Sequence, residues 1–279
     1  MDTRQQHVVA FYARHPISAA HILKALETSR GHLRDLKPEE LWAHDQDHYG
    51  GLAANDALAE AAGFRSGQKV ADFCAGLGGQ ARYFAPRYGV DVTGVELTRE
   101  RVEGVETLTR AVDLGDRVRV LSGDVTAAPL GDGTMDAVYS QEAFLHVPDK
   151  AKAVKEAARV LKPGGVLVFT DWVRHRSLND DEAQSMWTGI AAQTLQSIAE
   201  YAGLLAAAGF EVVKVDDLTS DWGMILAERS RMYRQLREDA RKAGTPEGDD
   251  AFYNAYMKLV ELVQTRALGG ARFTARKPA

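Results

Sequence analysis

The chain holds one cysteine, Cys74, in 279 residues, so no internal disulfide can form, and a reducing compartment, the cytoplasm, is the expectation. Long apolar runs are missing as well. No segment approaches the ~18 consecutive apolar residues of a membrane span, and the first thirty residues carry charges throughout without the continuous apolar stretch of a secretory leader. Basic excess is absent too: 34 Lys and Arg stand against 39 Asp and Glu, a formal net charge of −5. That balance argues against nucleic acid or an anionic membrane as the main partner. There is no internal repeat and no low-complexity tract. What remains is an ordinary composition, 45% hydrophobic and 26% charged, sufficient for one sizeable core.

Apolar residues from Val8 to Leu26 fall at helical spacing, with Pro16 dividing the stretch into two helices. "LWAHDQDHYGG" reads as a loop, and an alanine-rich helix ending at Gly63 follows it. From Lys69 the rhythm changes. Short apolar runs ("KVADFC", "VDVTGVE", "RVRVLSG", "MDAVYS", "GGVLVFTDW") alternate with helical patterns, the signature of a parallel sheet wrapped by helices. One more helix and strand follow in "IAEYAGLLAAAGFEVVKVDDL". Two amphipathic segments come next, separated by the breaker "AGTPEGDD", and "GARFTARK" closes the chain as a last strand. The organisation expected is a helical cap over residues 1–66 on an α/β domain over 67–279, with a helical insertion at about 219–268.

"VADFCAGLGGQARYFA" runs from the first strand through Gly76, Gly78 and Gly79 into a helix. In an open parallel sheet, ligands bind beyond the carboxyl ends of the strands where strand order reverses, and glycine there lets a ligand touch the backbone. A tight connection would explain the glycines equally well. Glu96, however, ends the second strand about twenty residues on, where an acid accepts both hydroxyls of a ribose. Asp124 in "SGDV" ends the third strand, either as a turn residue or as an acceptor for an adenine amino group. A dinucleotide dehydrogenase would need G-x-G-x-x-G, which "CAGLGGQA" does not supply.

In this order and spacing, "VADFCAGLGG", "GVELT", "SGDV", "MDAVYSQEAFLHV" and "LKPGG" resemble the class I S-adenosylmethionine-dependent methyltransferases over roughly Gly67 to Thr170. The resemblance implies a Rossmann-like seven-stranded sheet whose last strand is antiparallel, with N-terminal helices and a helical lid before that strand. S-adenosyl-L-methionine would be the cofactor and a small molecule the substrate, and a homodimer is left open. Cofactor contacts would fall to Asp72, Ala75, Gly76, Gly78, Glu96, Leu97, Asp124, Val125, Gln141 and Tyr49, with Leu97 and Val125 packing on the adenine. Where the family has a first glycine, two residues after the acid, this chain has Cys74, which puts the shape of the first turn in question.

"YSQEAFLHV" and the helix after it look most like the sarcosine/dimethylglycine and phosphoethanolamine N-methyltransferases, which implies an amine acceptor. Gln141, Glu142 and His146 are the candidates for orienting groups and moving a proton. Tyr49, Phe144 and Trp172, together with His146, would contact the substrate, the three rings as an aromatic wall suited to a cation. The "AFLHV" segment and the late helical insertion also resemble the cyclopropane fatty acid synthases, but Leu145 stands where those enzymes carry an acid before the histidine. An O- or C-methyltransferase and a non-catalytic cofactor-binding regulator stay open as alternatives. His44, Asp45, Asp47 and His48 have the chemistry of metal ligands, but the implied reaction needs no metal, and none is expected.

Overall fold

The computed structural model describes residues 3–13, 17–192, 194–242 and 250–279. Pro16 and the breaker at 243–249 lie outside the described residues. Four helices come first: α1 (Thr3–Ala13), α2 (Ala19–Arg30), the single turn α3 (Pro38–Leu41) and α4 (Gly51–Ala62). Ser18 caps α2 through its side chain, and Gly63 ends α4 at φ 66°, a left-handed position where glycine carries no Cβ penalty.

The alternating part begins with β1 (Lys69–Phe73), α5 (Gly79–Tyr88), β2 (Asp91–Glu96), α6 (Arg99–Ala111) and β3 (Val118–Ser122). It continues with β4 (Met135–Gln141), α7 (Lys150–Val160) and β5 (Leu161–Arg174). Next come α8 (Asp180–Ile190), α9 (Ile198–Ala207) and β6 (Glu211–Asp217), and then α10 (Thr219–Lys242), α11 (Asp250–Gln264) and β7 (Leu268–Arg276). The strands form one sheet in the order β3-β2-β1-β4-β5-β7-β6. The pairs among β1 to β5 are parallel, and β7 runs antiparallel to both β5 and β6, as expected for the final strand. Strand order therefore reverses between β1 and β4, and a crevice opens there at the carboxyl ends.

Apolar side chains on the two faces of the sheet make two cores. One gathers Phe73, Val138, Phe144, Phe169 and Phe273 with α7 and α9; the other gathers Val70, Phe84, Val92 and Tyr139 with α4 and α5. A third cluster joins α10 and α11 to Trp172, Met186 and Tyr49. The apolar faces of α10 and α11, which precede β7, are spent on this cluster. A helix absent from the sequence expectation, α8, starts at a reciprocal cap between Asn179 and Glu182.

Candidate active site

A cavity lies over the carboxyl ends of β1 to β4. Asp72, Ala75 and Gly76 line one side, Glu96, Leu97, Asp124 and Val125 another, and Gln141, Glu142 and His146 a third. The residue after β1 is Cys74, at φ 65°. It adopts the backbone conformation for which glycine is suited, so the first turn keeps its shape at the cost of local strain. At Gly76 a Cβ would meet nothing within 4 Å, so the loop's backbone is open at that point.

Glu96 is buried, accepting the Gly76 N–H on Oε2 at 2.9 Å and the Thr98 N–H on Oε1 at 2.8 Å. Burial pushes its carboxyl up, and those backbone donors work against the rise. Asp124 accepts from the Thr126 backbone and hydroxyl on Oδ1, both at 2.8 Å, and from Gln5 Nε2 on Oδ2 at 2.8 Å. It is thus a turn residue and a lining residue at once. Asp72 accepts the Tyr139 hydroxyl at 2.7 Å, and burial raises its carboxyl to about 7.

The segment after β4 concentrates polar groups. Glu142, at φ 54°, accepts the backbone N–H of Tyr49 at 2.9 Å, and burial pushes its carboxyl well up. His146 uses both ring nitrogens: Nδ1 lies 3.2 Å from the Ala191 carbonyl, which can only accept, so Nδ1 carries the proton. Nε2 therefore accepts from the Tyr12 hydroxyl at 2.8 Å. Burial lowers the imidazole to about 4, so the ring is neutral at physiological pH.

Four of the expected site residues fall elsewhere. Phe144 is fully buried in the main core, its ring 5.0 Å from that of Phe169. Trp172 packs against Trp222 at 4.9 Å, and Tyr49 lies between these two rings and the Arg229 guanidinium. The aromatic wall is therefore core, because these rings find apolar partners behind the cavity. Gly78 faces Val105 and Arg82. Nor, among the described residues, does the helical insertion line the cavity; α1 covers it instead, through Gln5, Val8 and Tyr12.

Those α1 residues escaped the sequence reading, as did Arg101, whose guanidinium lines the cavity 4.8 Å from the Tyr12 ring centre. The loop before α4 forms the remaining edge. Its Asp45 makes a fully buried ion pair with Arg82 at 2.9 Å, and its backbone lies so close to α5 that a Cβ on Gly79 would come within 2.0 Å of the Asp45 carbonyl oxygen. Among the described residues no group of three or more His, Cys, Asp or Glu is placed to hold a metal ion. No helix among them is long and apolar enough to cross a membrane.

Residues 71–169 match the model of the methyltransferase domain family, and the sheet that carries them is Rossmann-like. Among curated proteins it is 30% identical, over 178 residues, to the sarcosine/dimethylglycine N-methyltransferase of Aphanothece halophytica, covering 62% of this chain and 64% of that one. The chain thus spans less than two thirds of that relative. Among solved structures, phosphoethanolamine N-methyltransferase 2 of Haemonchus contortus, in complex with S-adenosyl-L-methionine, superposes with a TM-score of 0.75 at 21% identity. That match covers 100% of this chain and 61% of the other. The geranyl diphosphate C-methyltransferase of Streptomyces coelicolor A3(2) has a TM-score of 0.74 at 17% identity, covering 99% and 98%. These two likenesses are of fold.

Proposed function

We propose that the cavity binds S-adenosylmethionine and that the protein transfers its methyl group to the nitrogen of a small amine. The observation that carries this reading is the charge of the lining. Asp47, Asp72, Glu96, Asp124 and Glu142 stand against one guanidinium, Arg101, and a neutral His146, while Asp45 is already paired with Arg82. Such a lining favours a cation. A sulfonium and an ammonium are both cations, and the similarity to a sarcosine/dimethylglycine N-methyltransferase supports the same choice of acceptor.

The residues fit the group. Glu96 would hold the ribose, Asp124 the adenine amino group between Leu97 and Val125, and Asp72, Ala75 and the open backbone at Gly76 the methionine end. When bound, the cofactor supplies a methyl group on a positively charged sulfur. The chain's own part is to align the acceptor, exclude water and handle its proton. An amine donating its N–H to the Tyr12 oxygen is linked through the Tyr12 hydroxyl to Nε2 of His146, whose neutral ring is the form able to accept. Helix α1 brings Tyr12 to that position and covers the cavity, which supports treating residues 1–66 as a cap on the domain at 67–279.

Incubation with methyl-labelled S-adenosylmethionine and a panel of small amines, phenols and thiols, followed by mass analysis, tests the proposal. Label on an amine nitrogen is expected. Transfer confined to oxygen or sulfur acceptors, lipid or nucleic acid would overturn it.

A further inference from the structure

A chain of side-chain hydrogen bonds runs from the buried ion pair beneath the loop to the cavity, and each atom's role in it follows from the one before. Asp45, paired with Arg82, offers only acceptors, so the Gln46 atom 2.7 Å from its Oδ1 is Nε2. Gln46 Oε1 then faces outward, accepting from Asn55 Nδ2 at 2.7 Å and meeting His48 Nε2 at 3.1 Å. The tautomer with its proton on Nε2 makes two bonds, to Gln46 Oε1 and from Gln141, and leaves Nδ1 facing the Tyr49 carbonyl at 3.2 Å. The other tautomer makes one, from Nδ1 to that carbonyl, and sets the Nε2 lone pair against an amide oxygen, so the proton is assigned to Nε2. With Nδ1 an acceptor, the Gln141 atom 3.1 Å away is its Nε2.

What is left over is Gln141 Oε1. It is buried without a partner, on a residue 8% exposed that lines the cavity. A buried, unmatched amide oxygen is costly unless a ligand donates to it. Gln141 ends β4, beside the Cys74–Gly76 turn after β1, whereas Glu96 and Asp124 follow β2 and β3. We propose that His48, held by Gln46, Asn55 and Asp45, is a positioning residue that locks the Gln141 amide with its oxygen toward the cavity, where it accepts from the α-ammonium of the cofactor. The inference rests on the cofactor reading above and names a recognition element within it.

The test is calorimetric titration of the wild type, His48→Phe, Gln141→Leu and the double variant with S-adenosylhomocysteine, and with its analogue lacking the α-amino group. Losing a hydrogen bond to a charged donor should make Gln141→Leu bind S-adenosylhomocysteine about tenfold to a hundredfold more weakly. His48→Phe should lose nearly as much, and the double variant no more than Gln141→Leu alone, because His48 acts through Gln141. The amino-free analogue should bind all four proteins alike. His48→Gln, which can accept from Gln141 and donate to Gln46, should stay within about threefold of the wild type; this rescue separates positioning from simple packing. Additive losses, a His48→Phe protein that binds normally, or equal losses for the amino-free analogue would overturn the inference alone. A wild type that binds no S-adenosylhomocysteine would overturn the cofactor reading and this inference with it.

Discussion

Asp72 is a carboxyl that lowers the stability of the free protein at neutral pH, and Asp72→Asn measures by how much. The residue is 3% exposed; burial raises its pKa from 3.8 to about 7, the Tyr139 hydroxyl opposing the rise and Glu96 adding to it. The unfolded chain releases this proton near 3.8 and the folded chain near 7. Between those values the native state binds more protons, so raising the pH favours unfolding. At 1.36 kcal/mol for each tenfold change in proton affinity, the stability lost across that window is ~4 kcal/mol. Asparagine keeps the shape and can still accept from Tyr139, but it does not ionise. Urea denaturation of ligand-free protein at a series of pH values should therefore show the variant gaining on the wild type by ~4 kcal/mol between about pH 4 and about pH 8. The difference between the two proteins isolates Asp72 from the other buried carboxyls. If it changes by less than about 1 kcal/mol across the window, Asp72 is ionised in the empty cavity and the argument fails. In the proposed function the same charge is recovered on binding, since a cation favours the ionised form. S-adenosylmethionine should accordingly bind the wild type about tenfold more tightly at pH 8 than at pH 6, and Asp72→Asn should flatten that dependence.

Tyr12→Phe removes the hydroxyl that reaches His146 while keeping the ring against Arg101. Turnover should fall at least about tenfold with cofactor affinity little changed, and steady-state kinetics beside calorimetry would expose the opposite pattern. Arg82→Met leaves Asp45 buried without its partner and should cost about 3–5 kcal/mol by urea denaturation; a loss below about 1 kcal/mol would mean that water or a rearranged loop replaces the guanidinium. Cys74→Gly should fold with stability within about 1 kcal/mol of the wild type, whereas Cys74→Val, β-branched at φ 65°, should lose about 1–2 kcal/mol more, and equal thermal unfolding of the two would refute the strained turn.

The strands from Lys69 to Thr170 were legible because each is a short apolar run bounded by polar or glycine-rich turns, and one acid closes β2 while another follows β3 by two residues. Helix α8 was not, since few apolar residues mark it, although "NDDE" carried the Asn179–Glu182 cap that starts it. Tyr12 and His48 lie beyond the reach of local pattern: their partners His146 and Gln141 are 134 and 93 residues away, and folding alone brings them together. Phe144 and Trp172 mark the reverse failure. A ring near a strand end reads alike whether it faces the cavity or the core, and the packing of α10 and α11 settled Trp172, as Phe169 did Phe144.

Of the six non-glycine residues at positive φ among the described residues, two, Cys74 and Glu142, line the cavity. The central strands β1 and β4 lie side by side at the reversal of strand order, and in each the next residue is a non-glycine at positive φ, Cys74 at 65° and Glu142 at 54°. Such conformations persist only where the surroundings over-determine them. Here the determinants are visible: the backbone N–H groups of Cys74 and Ala75 both donate to the Val95 carbonyl, and the Glu142 N–H donates to the Thr170 carbonyl at 2.7 Å while its side chain holds the Tyr49 N–H. Relaxing either residue would break a bond to the neighbouring strand and swing the following segment out of the crevice. The two turns are thus fixed before any ligand arrives, one leaving the open backbone of Gly76 at the cavity and the other setting His146 against Tyr12. In the proposed methyl transfer, a direct displacement tolerates little error in the line of approach, and the two turns, on adjacent strands, would hold its opposite sides.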